Sequence, residues 1–159
     1  MYNHAPKNYE CPICIGLKGE ENDKTLIRNS DFVYKDELVS AFVNSFFIQN
    51  NKGHVIIVPN LHFENLYDLP DDIAHRVLQV SKLIAVTIKK AYGCDGIFIQ
   101  QNNEPASDQH AFHYHMHVIP RYENDEIFKH IHIKLSPTPE ERKEYADRLK
   151  EIINLEKIT

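Results

Sequence analysis

From Phe112 to Ile119 the chain reads FHYHMHVI, and this alternation constrains its fold more than any other stretch. On a β-strand successive side chains point to opposite faces, so residues at i, i+2 and i+4 share one face. A strand from Phe112 to Ile119, ended by Pro120, sets His113, His115 and His117 side by side, roughly 6 to 7 Å apart from each to the next. Tyr114, Met116 and Val118 then turn the other way, against the core. His110 precedes the regular part, and its direction stays open.

The rest of the chain supplies partners for such a strand. DFVYKDELVSAFVN, residues 31–44, predicts two short strands around the polar turn Lys35-Asp36-Glu37, and GHVIIVP, residues 53–59, a buried strand ended by Pro59. From Asp71 to Tyr92, Ile73, Val77, Val80, Ile84, Ile88 and Ala91 form one apolar stripe, and Gly93 supplies a stop, which predicts a helix. GIFIQQN, residues 96–102, predicts another strand, followed by the polar loop NEPASDQ. Pro137 and Pro139 introduce a terminal amphipathic helix through Tyr145, Leu149, Ile152 and Ile153, while His130-Ile131-His132 is expected in a solvated edge strand or loop. Three strands, a helix, two strands and a last helix suit antiparallel pairing and an α+β fold. With no repeat or linker, residues 1–159 are expected to form a single domain.

Composition narrows the partners. A net charge of -5 argues against a general nucleic-acid surface, though a few local donors suffice for one anionic small molecule. No run approaches the roughly 18 apolar residues of a membrane span, and MYNHAPKNYE lacks the features of a secretory signal. No membrane partner is expected, and the location is read as cytoplasmic. Two of the three cysteines form CPIC at Cys11 and Cys14, a spacing that points to metal or redox chemistry rather than a structural disulfide. Cys94 stands alone and reads as a small buried or turn residue.

Three readings compete for the histidines: a solvated face, a metal site using all three, and a division of labour between nucleophile and phosphate ligand. Histidines at i and i+4 on one strand stand about 13 Å apart, and without a bulge both cannot reach one zinc at about 2.0 to 2.1 Å. Spacing therefore favours the third reading. A neutral imidazole also suits it, because one ring nitrogen keeps a free lone pair. CxxC supplies only two of the four ligands a structural zinc wants; His4, His62, His75 and the triad are candidates for the rest.

HYHMHVI, with GHVIIVPNLHFENLYDL before it and Gln109 four residues ahead of the triad, resembles the histidine-triad (HIT) family over about Tyr9 to Arg121. The resemblance implies a central antiparallel sheet of about five strands with one long helix packed on it. The core would lie at about 9–121, with 122–159 as a C-terminal extension ending in a helix. It also implies a nucleotidyl hydrolase or transferase acting at the α-phosphate of a purine nucleoside derivative, such as a dinucleoside polyphosphate or a nucleoside phosphoramidate. His115 would be the nucleophile, and His117 and His54 would hold the non-bridging oxygens. Gln109 and Asn102 would sit near the phosphate and Asn44 at the ribose. A bacterial branch of the family opens with a similar CxxC, which implies one structural zinc per chain on Cys11, Cys14, His62 and His113 and no catalytic cofactor. The family commonly forms homodimers by extending the sheet side by side.

The chain departs from the family pattern in two places. Asp108-Gln109-His110 replaces the usual Gly-Gln-Ser or Gly-Gln-Thr, and two extra residues separate Asn44 from His54. The roles of Asp108 and His110 stay open. From a different functional class, the alternative is a nucleotide-binding or scaffolding protein with little turnover.

Overall fold

The β-branched runs pair as an antiparallel sheet, and which face each residue takes decides everything that follows. A computed structural model of the chain describes residues 2–158, with side chains described as far as residue 155. In chain order the elements are the short helix α1 (Pro12–Leu17) and strands β1 (Phe32–Lys35), β2 (Val39–Val43), β3 (Phe47–Ile48) and β4 (Val55–Pro59). The long helix α2 (Asp71–Tyr92) follows, then β5 (Gly96–Gln101), β6 (Met116–Arg121), the single turn α3 (Ile127–His130), β7 (Lys134–Leu135) and α4 (Pro139–Ile158). Five strands form one sheet in the order β1-β2-β4-β6-β5, antiparallel at each step, while β3 and β7 pair separately. The expected α+β architecture is the one that forms.

Alternation gives this sheet two unlike faces. Val39, Ala41 and Val43 of β2, Val55 and Ile57 of β4, and Val118 of β6 belong to the main core, with Ile73, Val77, Val80, Ile84 and Ile88 of α2 laid over them. α2 stops at Gly93, whose φ of 65° is the left-handed conformation that closes a helix at low cost. On the opposite face one row runs Phe42, Ile56, His117 and Gln100 across four strands. The next row brings Asn44 beside His54, joined by an N–H···O bond of 2.9 Å. That second face carries the site.

The histidine stretch is less regular than expected. The strand begins at Met116 rather than Phe112 and runs through Pro120 to Arg121. Residues 112–115 send their backbone elsewhere: Phe112 N–H donates to the Tyr9 hydroxyl at 3.2 Å, and Tyr114 N–H to the Phe63 carbonyl at 2.6 Å. Pro120 does not end the strand, because β6 pairs with β4 only as far as Val118, and Pro120 faces Ile97 of β5 alone. A missing N–H costs no ladder bond at such a position. His130 closes α3 and His132 precedes β7, so this segment is neither plain loop nor plain edge strand.

α4 is fixed to the turn that leads into β1 by a buried ion pair. Arg142, 4% exposed, donates from Nε to both oxygens of fully buried Asp31 at 3.1 and 3.2 Å, and from its Nη atoms to the Pro137 and Leu26 carbonyls. Removing one partner leaves an uncompensated buried charge, so Arg142→Ala is expected to destabilise the fold by about 3 kcal/mol or more in urea unfolding. A loss below about 1 kcal/mol would contradict that role. Among the described residues no helix is long and apolar enough to cross a membrane.

Candidate active site and metal centre

A cavity of about 270 Å³ opens on the second sheet face, and its floor includes Phe42, Asn44, His54, Ile56, His117 and Ile119. His115 reaches it from the irregular segment just before β6. The rings of His115 and His117 lie 5.0 Å apart, and those of His54 and His117 5.4 Å apart. The three histidines named for chemistry or phosphate therefore meet at one place, whereas His113, named for the metal, turns away from it.

Hydrogen bonds define the tautomers of His115 and His54. His115 Nδ1 lies 2.7 Å from the His113 carbonyl, which can only accept, so Nδ1 carries the proton and Nε2 keeps its lone pair. Asn44 Nδ2 donates to the Phe46 carbonyl at 3.1 Å, which fixes the amide's orientation, and also to His54 Nε2 at 2.7 Å. His54 then carries its proton on Nδ1, a buried atom with no partner among the described residues. Burial and the neighbouring imidazoles hold His115 and His117 below the usual histidine range and bring His54 to about 3. The site is a set of neutral imidazoles.

That neutrality has a consequence for stability. An unfolded histidine takes a proton near pH 6.5, whereas folded His54 resists until about 3. Between those values the unfolded state binds the extra proton, so stability is expected to fall as pH drops below about 6.5, by up to about 1.4 kcal/mol per pH unit for each such histidine. Urea unfolding from pH 7 to 4.5 should show the slope, and His54→Asn should reduce it. An unchanged slope in that variant would contradict the assignment.

Two of the expected helpers are placed differently from each other. Asn102 lines the cavity, with Oδ1 accepting from Gln100 Nε2 at 2.9 Å and Nδ2 donating to the Ser107 carbonyl. Gln109 does not line it. Its side chain is buried, with Oε1 accepting from the Glu104 N–H at 2.6 Å and Nε2 donating to the Glu64 carbonyl at 2.7 Å. Both ends of the amide serve the backbone, so the expected phosphate contact from Gln109 gives way to a tie between two loops. Asp108 and His110 do line the cavity, joined to each other at 2.8 Å.

The four residues named for a metal converge at a second place. CPIC forms the first turn of α1: Cys11 is the N-cap, its sulfur accepting from Cys14 N–H at 3.4 Å, and Pro12 fills the first turn. Gly16 lets the helix close on Ile27, since a Cβ there would lie 2.8 Å from that side chain. His113 Nδ1 stands 3.5 Å from Cys11 Sγ and 3.4 Å from Cys14 Sγ, and His62 Nδ1 is 3.3 Å from Cys14 Sγ. All four ligand atoms lie within 4.8 Å of one another. Around a tetrahedral zinc, bonds of about 2.3 Å to sulfur and about 2.05 Å to nitrogen put these atoms about 3.5 Å apart. The donors fit.

The protonation pattern fits as well. His113 Nε2 donates to the Pro59 carbonyl at 3.0 Å, leaving Nδ1 bare toward the sulfurs, the arrangement of a ligand held by a backbone acceptor. Burial and the adjacent Cys11 push the Cys14 thiol up to about 12.

Sequence reasoning missed the cavity's two ends. Ile13, Leu26, Ile27 and Phe42 form an apolar end, and His132 and Lys134 arrive from the C-terminal part. Phe42 was findable, since it faces away from Ala41 and Val43 on a strand already expected. Nothing local marked Lys134, and the His130-Ile131-His132 alternation carries no sign of the cavity, because the β3–β7 pairing that brings these residues in joins two segments only two residues long.

Comparison with known proteins places this geometry in context. The HIT domain family model matches residues 27–124. "Protein hit" of Bacillus subtilis is 39% identical over 90 residues, a match spanning 57% of this chain and 61% of that protein's length. An uncharacterized HIT-like protein of Methanocaldococcus jannaschii is 36% identical over 126 residues, covering 78% of this chain and 89% of its own. The crystal structure of a Hit-like protein from Bartonella henselae superposes with a TM-score of 0.73 at 27% identity, covering 92% of this chain and 98% of that one. The family model's match over more than half of the chain, on a fold shared with these proteins and with His115 and His117 of the triad meeting His54 in one cavity, makes the chain a member of the HIT domain family.

Proposed function

We propose that the protein is a nucleotidyl hydrolase or transferase that cleaves at the α-phosphate of a purine nucleoside phosphate derivative, through a covalent nucleotidyl-histidine on His115. The observation that carries this is the 2.7 Å bond from His115 Nδ1 to the His113 carbonyl, which leaves Nε2 as a free nucleophile. In the first step Nε2 attacks the α-phosphorus, a P–N bond forms, and the bond from phosphorus to the leaving group breaks with its electron pair. In the second, water or another acceptor attacks the phosphorus, the P–N bond breaks, and His115 is regenerated. The unpartnered Nδ1–H of His54 and the imidazole of His117 supply donors to the non-bridging oxygens. Asn44 orients His54 and Asn102 borders the phosphate. The apolar end around Phe42 and Ile27 suits the base.

Related proteins support the substrate class. One from Arabidopsis thaliana is named adenylylsulfatase, and one from Saccharomyces cerevisiae adenosine 5′-monophosphoramidase. Cys11, Cys14, His62 and His113 would hold one structural zinc, with all four positions filled by protein and no catalytic role. Bound there, the ion would fix His113, whose carbonyl orients His115. Reduced thiols at such a centre suit a cytoplasmic protein, and the open outer edge of β5, with Ile99 exposed, suits a homodimer that extends the sheet. Incubation with an adenylyl phosphoramidate and a diadenosine polyphosphate, with the products identified, tests the reading. AMP release from at least one is expected; nucleotide binding with neither product nor adduct would contradict it and leave a binding protein.

A further inference from the structure

The structure assigns to Lys134 the selection of substrates whose leaving group is itself a phosphate, an assignment that rests on the nucleotidyl-transfer function proposed above. The charge inventory of the cavity is short. Among its lining residues Lys134 is the single lysine or arginine and Asp108 the single carboxylate. Asp108 is already engaged: its Oδ1 accepts from His110 Nε2 at 2.8 Å, and its Oδ2 lies 3.6 Å from His132 Nδ1. Lys134 has no ion pair among the described residues.

Its position is built rather than incidental. Lys134 pairs with Ile48 in the β3–β7 ribbon, and Ile48 packs with Ile119 and Ile127, with Ile131 laid against them. Ile119 lies two residues after His117 on the same face of β6. The ribbon is thus anchored beside the phosphate-holding histidine. The ammonium of Lys134 is near enough to be one of the charges that depress His117, after burial and the neighbouring imidazoles.

The cavity is polarised. Its apolar part at Ile13, Leu26, Ile27 and Phe42 carries no charge and takes the base, while Lys134 enters on the β3–β7 ribbon that packs against Ile119, two residues beyond His117. A substrate bound with its α-phosphate on the histidines directs its leaving group toward Lys134. When that group is a phosphate, the breaking P–O bond leaves its electron pair on an oxyanion that a cation stabilises without a proton. An amine leaving group carries no anion for Lys134 to meet and instead needs a proton. Lys134 therefore favours polyphosphates over phosphoramidates. The residue lies outside the 27–124 stretch matched by the family model.

The test compares kcat/KM for diadenosine tetraphosphate with kcat/KM for adenosine 5′-phosphoramidate, using the full chain. Lys134→Met is expected to shift the ratio of the two about tenfold against the polyphosphate and to remove most of its salt sensitivity. Lys134→Arg should keep the ratio within about threefold, because the charge remains. Lys82→Met, on the exposed side of α2, controls for a general loss of positive charge. If Lys134→Met lowers both substrates alike, or neither, the assignment fails while the nucleotidyl-transfer reading stands. If the wild-type protein cleaves neither substrate, both fail together.

Discussion

Replacing His115 with alanine is expected to lower turnover on the order of 10⁴-fold, with nucleotide affinity changed far less. The size follows from the route. Without Nε2 no covalent intermediate forms, and the remaining groups can only position substrate and stabilise charge. His117 and His54 sit 5.0 and 5.4 Å along the chain of rings, and His54 Nε2 is committed to Asn44, so neither replaces the lost nucleophile. His117→Ala should cost less, about 10² to 10³-fold, as the loss of one charge-stabilising donor. Steady-state rates with AMP affinity measured in parallel separate the two effects. A His115→Ala protein that keeps more than about a tenth of wild-type activity would refute the assigned nucleophile.

The second large effect concerns the metal centre. Purified protein is expected to carry about one zinc per chain, and Cys11→Ser to lose it together with about 10 °C or more of thermal stability. A zinc bound only by the folded chain contributes its binding free energy to folding, and here it would join α1, the loop after β4 and the segment before β6. Activity should fall with it, although no ligand touches the cavity's chemistry. His113 lies two residues from the nucleophile, and its carbonyl holds the His115 ring. Less than about half an equivalent of zinc, with Cys11→Ser melting like the wild type, would contradict the centre.

How far the sequence revealed these features depended on whether the signal was local. The apolar stripe of α2 and the β-branched run of β4 are periodic patterns, and both elements form where the pattern puts them. Alternation around His117 set faces correctly within β6, but it could not foresee that residues 112–115 would hydrogen-bond to Tyr9 and the Phe63 carbonyl instead of a neighbouring strand. That departure is what lets His113 turn toward CPIC while His115 and His117 share the cavity. Gln109 was misplaced for a related reason: its two backbone partners, on Glu104 and Glu64, are joined only by tertiary folding. Lys134 left no trace in local sequence, since its importance comes from a pairing of two-residue strands far apart in the chain.

The central claim is that His115 becomes covalently attached to the nucleotide, and rapid quenching in base followed by intact-mass and peptide analysis at alkaline pH tests it most directly. Enzyme mixed with diadenosine tetraphosphate should gain one nucleotidyl group within the first turnover, labile in acid and stable in base as expected of a phosphorus–nitrogen bond. The label should map to the peptide bearing His115 and be absent from His115→Ala. Product formed at the wild-type rate with no adduct at any time, or an adduct on another residue, would contradict the mechanism.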